Sequence, residues 1–423
     1  MALEERPRDG VADGVAVVGA GIVGLSSAVF LRRGGASVTV FDPLPPPGGA
    51  SYGNAGLLSV DSCVPISLPG MLWKVPRWLM DPLGPLAVDP RYVVKAAPWL
   101  LKWARAGRMR CVLAASDALR GLHKPALEQY RELLGAEYFH DLIRTSGQIH
   151  VWDGGPESAG ERVSRLIRER HGIVAEPLDP NELHQFVPEI TPEIGRALFY
   201  PNNGQTVNPQ RLVERLVGLL QAAGGQIRHE RVMKIVPEQG ASFCVLTNSG
   251  NHRFAKVVVA AGAWSKRLLG PLGVHVPLET ERGYHVNVRD PSFKLQIPVL
   301  HKSRGFGATP MEMGIRFAGT VEIAGLDAPM NEQRAHELLR QARRLFPSFE
   351  AKDFSVWMGF RPSLPDSVPV IDEPEPHRGL IVACGHGHTG MTAGAITGRL
   401  VSELVLGKPP LIDLTPYRLA RFH

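Results

Sequence analysis

Apolar positions along this chain fall into short clusters whose spacing changes from place to place, and the changes mark out elements. Val15 to Val18 are four consecutive apolar residues, which reads as a short strand buried on both faces. They run into Gly19-Ala20-Gly21-Ile22-Val23-Gly24, and behind the last glycine an alanine-, leucine- and serine-rich stretch to Arg33 predicts a helix stopped by Gly34-Gly35. Ser37 to Phe41 predicts a second strand, ending on Asp42. After Asp42 the alternation of strand and helix stops. Pro43 to Pro47 and Gly48-Gly49 lead into Ala50-Ser51-Tyr52-Gly53-Asn54-Ala55-Gly56-Leu57-Leu58-Ser59, a loop of small residues. Ser116 to Leu134 has apolar residues at helical spacing and predicts one long helix; Gly147 to Trp152 alternates as a strand, and Glu161 to Arg170 predicts another helix. Asn203 to Pro209 is a turn and cap ahead of a helix from Gln210 to Ala223, closed by Gly224-Gly225. Strands are predicted at Gln226 to Ile235, Ser242 to Thr247 and Lys256 to Val259, the last running into Ala260-Ala261-Gly262-Ala263-Trp264-Ser265. An antiparallel sheet is expected from about Val276 to Trp357. The chain then offers a strand at Gly379 to Ala383, a loop at Gly385 to Gly390 and a helix from Met391 to Leu406.

The first of these segments carries chemistry. Glycines in G-x-G-x-x-G allow a tight turn and a close backbone approach to a pyrophosphate, which sits where the free N–H groups and dipole of a helix N-terminus favour an anion. Asp42, eighteen residues beyond Gly24, is placed to take ribose hydroxyls. With a strand before, a helix behind and an acid at this distance, Val15 to Asp42 reads as a dinucleotide-binding unit rather than a chance turn. A domain for NAD alone would continue with further βαβ units. None follows, so the loop from Ala50 to Ser59 reads as a second wall of the same site rather than a linker, its small residues letting backbone pass close to a flat ligand. Ala260 to Ser265 could serve the far side of the dinucleotide, although a plain strand-to-helix corner has the same composition.

Composition narrows the class. At 423 residues the chain exceeds what one core usually serves, so two domains are expected, and a 44% hydrophobic content is that of a globular protein. Lys and Arg (47) exceed Asp and Glu (41), giving a pI near 9.2. Such a balance suits an anionic membrane or nucleic acid, but here the excess is spread along the chain as solvated surface. Cys63, Cys111, Cys244 and Cys384 lie far apart with no C-x-x-C, which gives neither a disulfide framework nor a zinc site and fits a reducing compartment. The first fourteen residues are charged and lack the apolar core of a signal peptide, and no run of eighteen apolar residues occurs. A cytoplasmic protein is expected, unless it adheres to the inner membrane face. One stretch keeps that exception open: Trp73, Trp78, Trp99 and Trp103 are interleaved with Lys74, Arg77, Lys102 and Arg105. Aromatic and basic residues together suit a membrane interface; packing of the tryptophans beneath a substrate domain is the commoner arrangement. His150, inside its strand, reads as structural.

The N-terminal fingerprint, Ser51 to Gly56 and Val257 to Trp264 together resemble the glycine oxidase and D-amino-acid oxidase superfamily of FAD enzymes. The resemblance extends to Glu281-Arg282-Gly283-Tyr284, to Gly319-Thr320-Val321-Glu322-Ile323-Ala324-Gly325, to Trp357 through Asp366, and to Gly385-His386-Gly387-His388-Thr389-Gly390-Met391-Thr392. It covers nearly the whole chain. Within the superfamily the chain is most similar to the bacterial D-amino acid dehydrogenase small-subunit group, on Asn54-Ala55-Gly56, Pro85 to Val88 and the Arg-Pro-x-x-Pro-Asp of Arg361 to Asp366. The fold implied is an α/β FAD-binding domain, Rossmann-like and discontinuous, plus an α+β substrate domain with an antiparallel sheet. Residues 1–62, 201–270 and 371–423 would form the FAD-binding parts. Residues 63–200 would be mainly substrate domain, with a return to the FAD domain near 145–170, and residues 271–370 would supply the substrate-domain sheet.

The resemblance also implies roles. FAD is expected, and noncovalent, since no cysteine lies between Cys244 and Cys384 to make the link of sarcosine-oxidase-like relatives. Its contacts are expected at Gly19, Ala20, Gly21, Ile22, Val23, Gly24, Asp42, Ser51, Asn54, Ala55, Gly56, Leu57, Val232, Gly262, Gly387, Gly390, Met391 and Thr392. The last three open a helix whose N-terminus would stabilise negative charge on reduced flavin. Arg361, in Gly359-Phe360-Arg361-Pro362, is the candidate clamp for a substrate carboxylate through two parallel hydrogen bonds, with a surface salt bridge as the alternative. Tyr284 is a candidate for orienting substrate, or else a half-buried strand tyrosine. A neutral substrate amine needs no side-chain base; none is assigned, and His386 and His388 read as packing residues. The expected reaction is oxidative deamination of a D-amino acid, D-proline and hydroxy-D-proline included, with hydride passing from Cα to flavin N5 and electrons onward to a carrier or quinone. The alternatives are an oxygen-using oxidase of glycine or N-methylated amino acids, the flavin module of a tRNA-modifying enzyme, and a Rossmann enzyme using NAD alone. With no appended nucleic-acid-binding domain and no recognised aromatic and basic cluster, no nucleic acid partner is expected.

Overall fold

Four apolar residues in a row are buried on both faces because each face of their sheet is covered by something different. Val15–Val18 lies between Val38–Phe41 and Lys256–Val259, with Gln226–Arg228 and Leu380–Cys384 outside them, all five parallel; Val370–Asp372 closes the edge antiparallel. The computed structural model describes residues 14–45, 49–71, 83–84, 86–240 and 242–422. Trp73, Lys74, Arg77, Trp78 and Pro85, and the Pro46 to Gly48 part of the proline loop, lie outside the described residues. Side chains alternate across a strand, so Val15, Val17, Val40 and Val258 meet the helices Ile22–Arg33, Pro209–Ala222 and Gly390–Leu406. Ala16, Val18, Val257 and Val259 meet Ile235, Phe243 and Val245 of a three-stranded antiparallel sheet, Val232–Glu238, Ser242–Thr247 and Asn251–Phe254.

Two elements differ from expectation for local reasons. The helix predicted from Ser116 to Leu134 is two helices, Met109–His123 and Ala126–Leu134. Pro125 separates them, having no N–H to donate and a ring that crowds the preceding turn. The strand predicted from Gln226 to Ile235 is also two, Gln226–Arg228 in the six-stranded sheet and Val232–Glu238 in the three-stranded one. The exposed His229 and Arg231 have nothing to bury, and the chain crosses between sheets there.

A nine-stranded sheet stands over this unit. Its order is Phe354–Ser363, Glu279–Val288, Gly314–Ile323, Phe306–Met311, Val299–His301, Gln148–Asp153, Ile194–Tyr200 and Glu176–Leu178, with Leu86–Val88 beside Gly314–Ile323. It is antiparallel except for the pairings of Val299–His301 with Gln148–Asp153 and of Leu86–Val88 with Gly314–Ile323. Residues 145–170, expected to return to the cofactor domain, therefore do not join its sheet: both edges of Gln148–Asp153 are taken, by Ile194–Tyr200 and by Val299–His301. Tyr284, Val286 and Val288 pack against Ala335, Leu338 and Leu345 of the helix Glu332–Leu345. The opposite face turns to the cofactor domain, where Arg316 donates to the carbonyls of Tyr52 (3.1 Å) and Asn54 (2.6 Å) and His285 Nδ1 lies 2.9 Å from Gly53 O. Trp99 and Trp103, both buried on the helix Val93–Ala106, pack with Ile323, Leu86 and Val88. No helix among the described residues is long and apolar enough to cross a membrane.

Candidate active site

A cavity of about 1900 Å³ is walled by both large sheets. Small-molecule sites commonly have about 300–1,000 Å³, so this one has room for a cofactor and a substrate together. One end is the glycine turn. Gly19 has φ +112°, and a Cβ there would stand 2.4 Å from Ala260 O; a Cβ on Gly24 would stand 1.9 Å from Gly19 O. With side chains excluded at both, the turn brings Gly21, Ile22 and Val23 to the wall beside Asp42. Asp42 Oδ2 accepts from Ala20 N at 2.8 Å and Oδ1 from Leu44 N at 2.9 Å. Each carboxylate oxygen keeps a further lone pair for a hydroxyl.

The small-residue loop closes over this turn. Ser51 Oγ accepts from Ile22 N at 2.9 Å, tying the loop to the helix entry, and Asn54 Oδ1 accepts from Gly56 N at 2.8 Å. Thr392 Oγ1 accepts from Ser59 N at 3.0 Å and donates to Leu57 O at 3.3 Å, fixing the start of Gly390–Leu406 against the same loop. Ser51, Asn54, Ala55, Leu57, Val232, Gly262, Gly387, Gly390, Met391 and Thr392 all reach the cavity wall. Of the expected cofactor residues, Ala20, Gly24 and Gly56 stand behind it and shape it. A glycine cradle that a Cβ would fill, an acid beside it and a helix start opposite fit the pyrophosphate, ribose and flavin of FAD.

Arg361 lies farther along the same cavity, on the strand Phe354–Ser363 and opposite Glu281. Its Nη1 donates to Thr320 O at 3.0 Å, and its guanidinium crosses Gly283, where a Cβ would stand 2.2 Å from Cζ. Burial holds Arg361 below the usual arginine value, with Glu281 opposing. Burial alone would raise Glu281, but His388, with Nε2 at 2.6 Å from Oε2, and Arg361 outweigh it and hold the carboxyl below the ordinary 4.5. The site thus contains a row of His388, Glu281 and Arg361. Thr320 presents its carbonyl to Arg361 from φ +56°, a conformation uncommon outside glycine, and its hydroxyl has no hydrogen-bond partner among the described residues.

Tyr284 is corrected by this geometry. It adjoins the cavity, but its hydroxyl donates to Glu322 Oε2 at 2.5 Å and accepts from Asn331 N at 3.3 Å on the helix-covered face, so it is not placed to orient a substrate. His386 is buried with Nε2 at 3.0 Å from Thr397 Oγ1. His388, read from sequence as a packing residue, instead faces the cavity. Glu281 and Thr320 lie outside the set expected from sequence. For Glu281 a signal was there: Glu279, Glu281 and Gly283 alternate with Arg282, Tyr284 and Val286, and the apolar pair points the other way. Thr320 lay within the Gly319 to Gly325 stretch of the resemblance, but nothing there gave its carbonyl a role.

Residues 14–404 match the family model described as DAO, FAD dependent oxidoreductase. The chain is 37% identical over 415 residues to a D-amino-acid oxidase of Bradyrhizobium diazoefficiens, spanning 96% of this chain and 98% of that protein. Among solved structures it is similar to glycine oxidase from Geobacillus kaustophilus, with a TM-score of 0.73 and 24% identity over 97% of this chain and 99% of that one. It is also similar to L-proline dehydrogenase from P. horikoshii, with a TM-score of 0.75 and 18% identity over 97% and 98%. These two likenesses bear on the fold. With the family model spanning both sheets and the cradle at their junction, the chain belongs to the DAO family of FAD-dependent oxidoreductases.

Proposed function

We propose that this oxidoreductase deaminates D-amino acids, within the D-amino acid dehydrogenase small-subunit group, and passes electrons to a carrier or quinone. The observation that carries the reading is that Arg361 and the glycine cradle open onto one cavity. The relative from Bradyrhizobium diazoefficiens, named a D-amino-acid oxidase, supports the handedness. D-Proline and hydroxy-D-proline belong to the substrate class. The FAD-binding parts are 1–62, 201–270 and 371–423, and 63–200 and 271–370 are mainly substrate parts, except that the helices Met109–His123 and Ala126–Leu134 return to the cofactor domain, where Leu119, Leu122, Tyr130 and Leu133 share a core with Ile22–Arg33 and Gly390–Leu406.

Arg361 has five N–H donors in a planar fork. One goes to Thr320 O, which fixes the plane while others remain for the substrate carboxylate. Glu281 balances the guanidinium charge, and His388 holds Glu281 in turn. When bound, FAD supplies the acceptor for the hydride that leaves Cα. The N–H groups of Gly390, Met391 and Thr392, at a helix start on the wall, favour the negative charge that this transfer leaves behind. A substrate amine in its neutral form gives up hydride without a side-chain base. Cys384 stays inert: burial pushes its thiol up to about 12, and a protonated thiol is no nucleophile, which supports noncovalent FAD. A quinone acceptor would bring the protein to a membrane face, for which co-sedimentation with anionic vesicles is the check.

The test is anaerobic mixing of the flavoprotein with a panel of D- and L-amino acids, prolines included, followed by flavin absorbance. D-forms alone should bleach it, and Arg361→Ala should keep the flavin but lose the bleaching. A yellow protein that no amino acid bleaches would sink the deamination reading. Hydrogen peroxide yield against dye reduction then separates an oxygen-using oxidase from a dehydrogenase.

A further inference from the structure

The cavity continues past Arg361 into an arm walled by Gln148–Asp153, Ile194–Tyr200, the helix Ala159–Arg170 and the turn after Val299–His301. The two regions are joined by a short hydrogen-bonded line. Arg361 donates to Thr320 O at 3.0 Å, Thr320 N donates to Gly305 O at 3.4 Å, and Gly305 N donates to His301 O at 2.9 Å, closing the turn that carries Lys302.

Most charges in the arm cancel. Arg165 lies 2.9 Å from Glu169 and 3.3 Å from Glu157, and Arg196 lies 3.4 Å from Glu161. Asp61, also on the cavity wall, is taken by Arg120 at 3.1 Å. Two cations stand outside these pairs: neither Arg168 nor Lys302 has an ion-pair partner among the described residues. The hydrogen bond made by the Arg168 guanidinium is to Ser164 O at 3.2 Å, and its Cζ stands 5.6 Å from the Tyr200 ring centroid. Lys302 keeps an exposed surface, yet the protein crowded around it pushes it from 10.5 down to about 8, and Arg168 adds to the shift. His150, 8% exposed and on the same wall, has no hydrogen-bond partner for Nδ1 among the described residues. Like charges close together without a counterion repel one another, and the unsatisfied buried imidazole of His150 beside them adds a further cost. An anion in the arm would relieve all three.

We propose that Arg168 and Lys302 form a second carboxylate site, which receives the distal carboxylate of a substrate whose α-carboxylate lies on Arg361. This rests on the amino acid reading and adds to it a preference, within that substrate class, for amino acids that carry a second carboxylate at the end of a chain.

The experiment compares acids with their neutral amides at several chain lengths, D-glutamate with D-glutamine and D-2-aminoadipate with its amide among them, by anaerobic flavin reduction. For at least one length the wild type should favour the acid by about tenfold or more, the effect of one charge-assisted hydrogen bond. Lys302→Met and Arg168→Met should abolish that ratio through KM and leave the amide within about threefold, inside the scatter of context effects on such bonds, while Arg168→Lys restores part of it. A wild-type ratio near one at every length, or variants that slow acid and amide equally, would overturn the site. So would a defect confined to reoxidation by an anionic dye, which would assign the cations to the electron acceptor. Perturbation of the oxidised flavin spectrum by glutarate, adipate and their monocarboxylate counterparts gives a readout without turnover. A dicarboxylate preference lost in Lys302→Met would keep the site standing even if no amino acid bleached the flavin, and no preference would overturn it whatever the substrate.

Discussion

At Gly283 an absent side chain makes room for a guanidinium. The Cβ of an alanine there would stand 2.2 Å from Arg361 Cζ and 2.4 Å from Nη1. Gly283 is not among the residues with positive φ, so alanine fits its backbone. What must move is the far end of a long side chain, not the sheet. Gly283→Ala is therefore expected to lower kcat/KM about 10- to 100-fold, the worth of a displaced charge-assisted hydrogen bond at about 1.5–3 kcal/mol, while the flavin spectrum and Tm stay near wild type. Unchanged kinetics would mean that the guanidinium does not hold the substrate. The same strand bears on two sequence readings, Arg361, which the structure brings to the cavity wall, and Tyr284, whose hydroxyl it turns to the other face. Arg361 carried a motif that survives without knowledge of pairing. Tyr284 sat beside an equally good motif, but a strand sends neighbouring side chains to opposite faces, and Tyr284, Val286 and Val288 point to the helix Glu332–Leu345.

Among the elements, the small-residue loop from Gly49 to Ser59 is where the two sheets are held to each other. Ser51 ties it to the cofactor helix, Thr392 to the C-terminal helix, and Arg316 and His285 to the substrate sheet. Ser51→Ala leaves Ile22 N–H, in the first turn of Ile22–Arg33, without its acceptor. Loss of a cap of this kind costs about 1 kcal/mol, so the dissociation constant of FAD should rise about fivefold and Tm should fall by a few degrees. Titration of the apoprotein with FAD measures the first and thermal unfolding the second; if neither moves, the loop is not the clasp described. Sequence located this loop by its composition and its place after Asp42, but not its four partners, which lie up to several hundred residues away. Element existence was legible wherever apolar runs were bounded by turns. Destination was not: Gln226–Arg228 and Val232–Glu238 read as one strand and enter different sheets.

Across the whole molecule, the cofactor site was legible because each of its motifs follows directly on an apolar parallel strand: Gly19 after Val15–Val18, Asp42 after Val38–Phe41, Ala260 after Lys256–Val259 and Gly385 after Leu380–Cys384. Ligands of such sheets bind beyond the carboxyl ends of the strands. The substrate arm has no such rule, since its walls come from antiparallel strands and from one helix, and only the fold sets Lys302 beside Arg168. The junction between these two halves carries a pH dependence. His123 pairs with Ser62 O at 2.5 Å, His285 with Gly53 O at 2.9 Å, and His386 with Thr397 Oγ1 at 3.0 Å. Burial pushes them down to about 4, about 3 and about 3 from an ordinary 6.5. The unfolded chain therefore takes up protons on these imidazoles below pH 6.5 while the folded protein does not, and stability falls as pH falls through that window. Each contributes up to about 1.4 kcal/mol per pH unit. Carboxylates begin to add their own loss only near their unfolded values of about 4, so the interval from pH 6.5 to 5 reports the histidines. The Tm of the flavoprotein should drop steeply across that interval, and His285→Asn, which keeps a donor for Gly53 O but cannot take a proton, should make the slope shallower. A flat profile from pH 7 to 5 would mean that these rings reach solvent, and that the seam between the cofactor and substrate sheets opens far more readily than its hydrogen bonds imply.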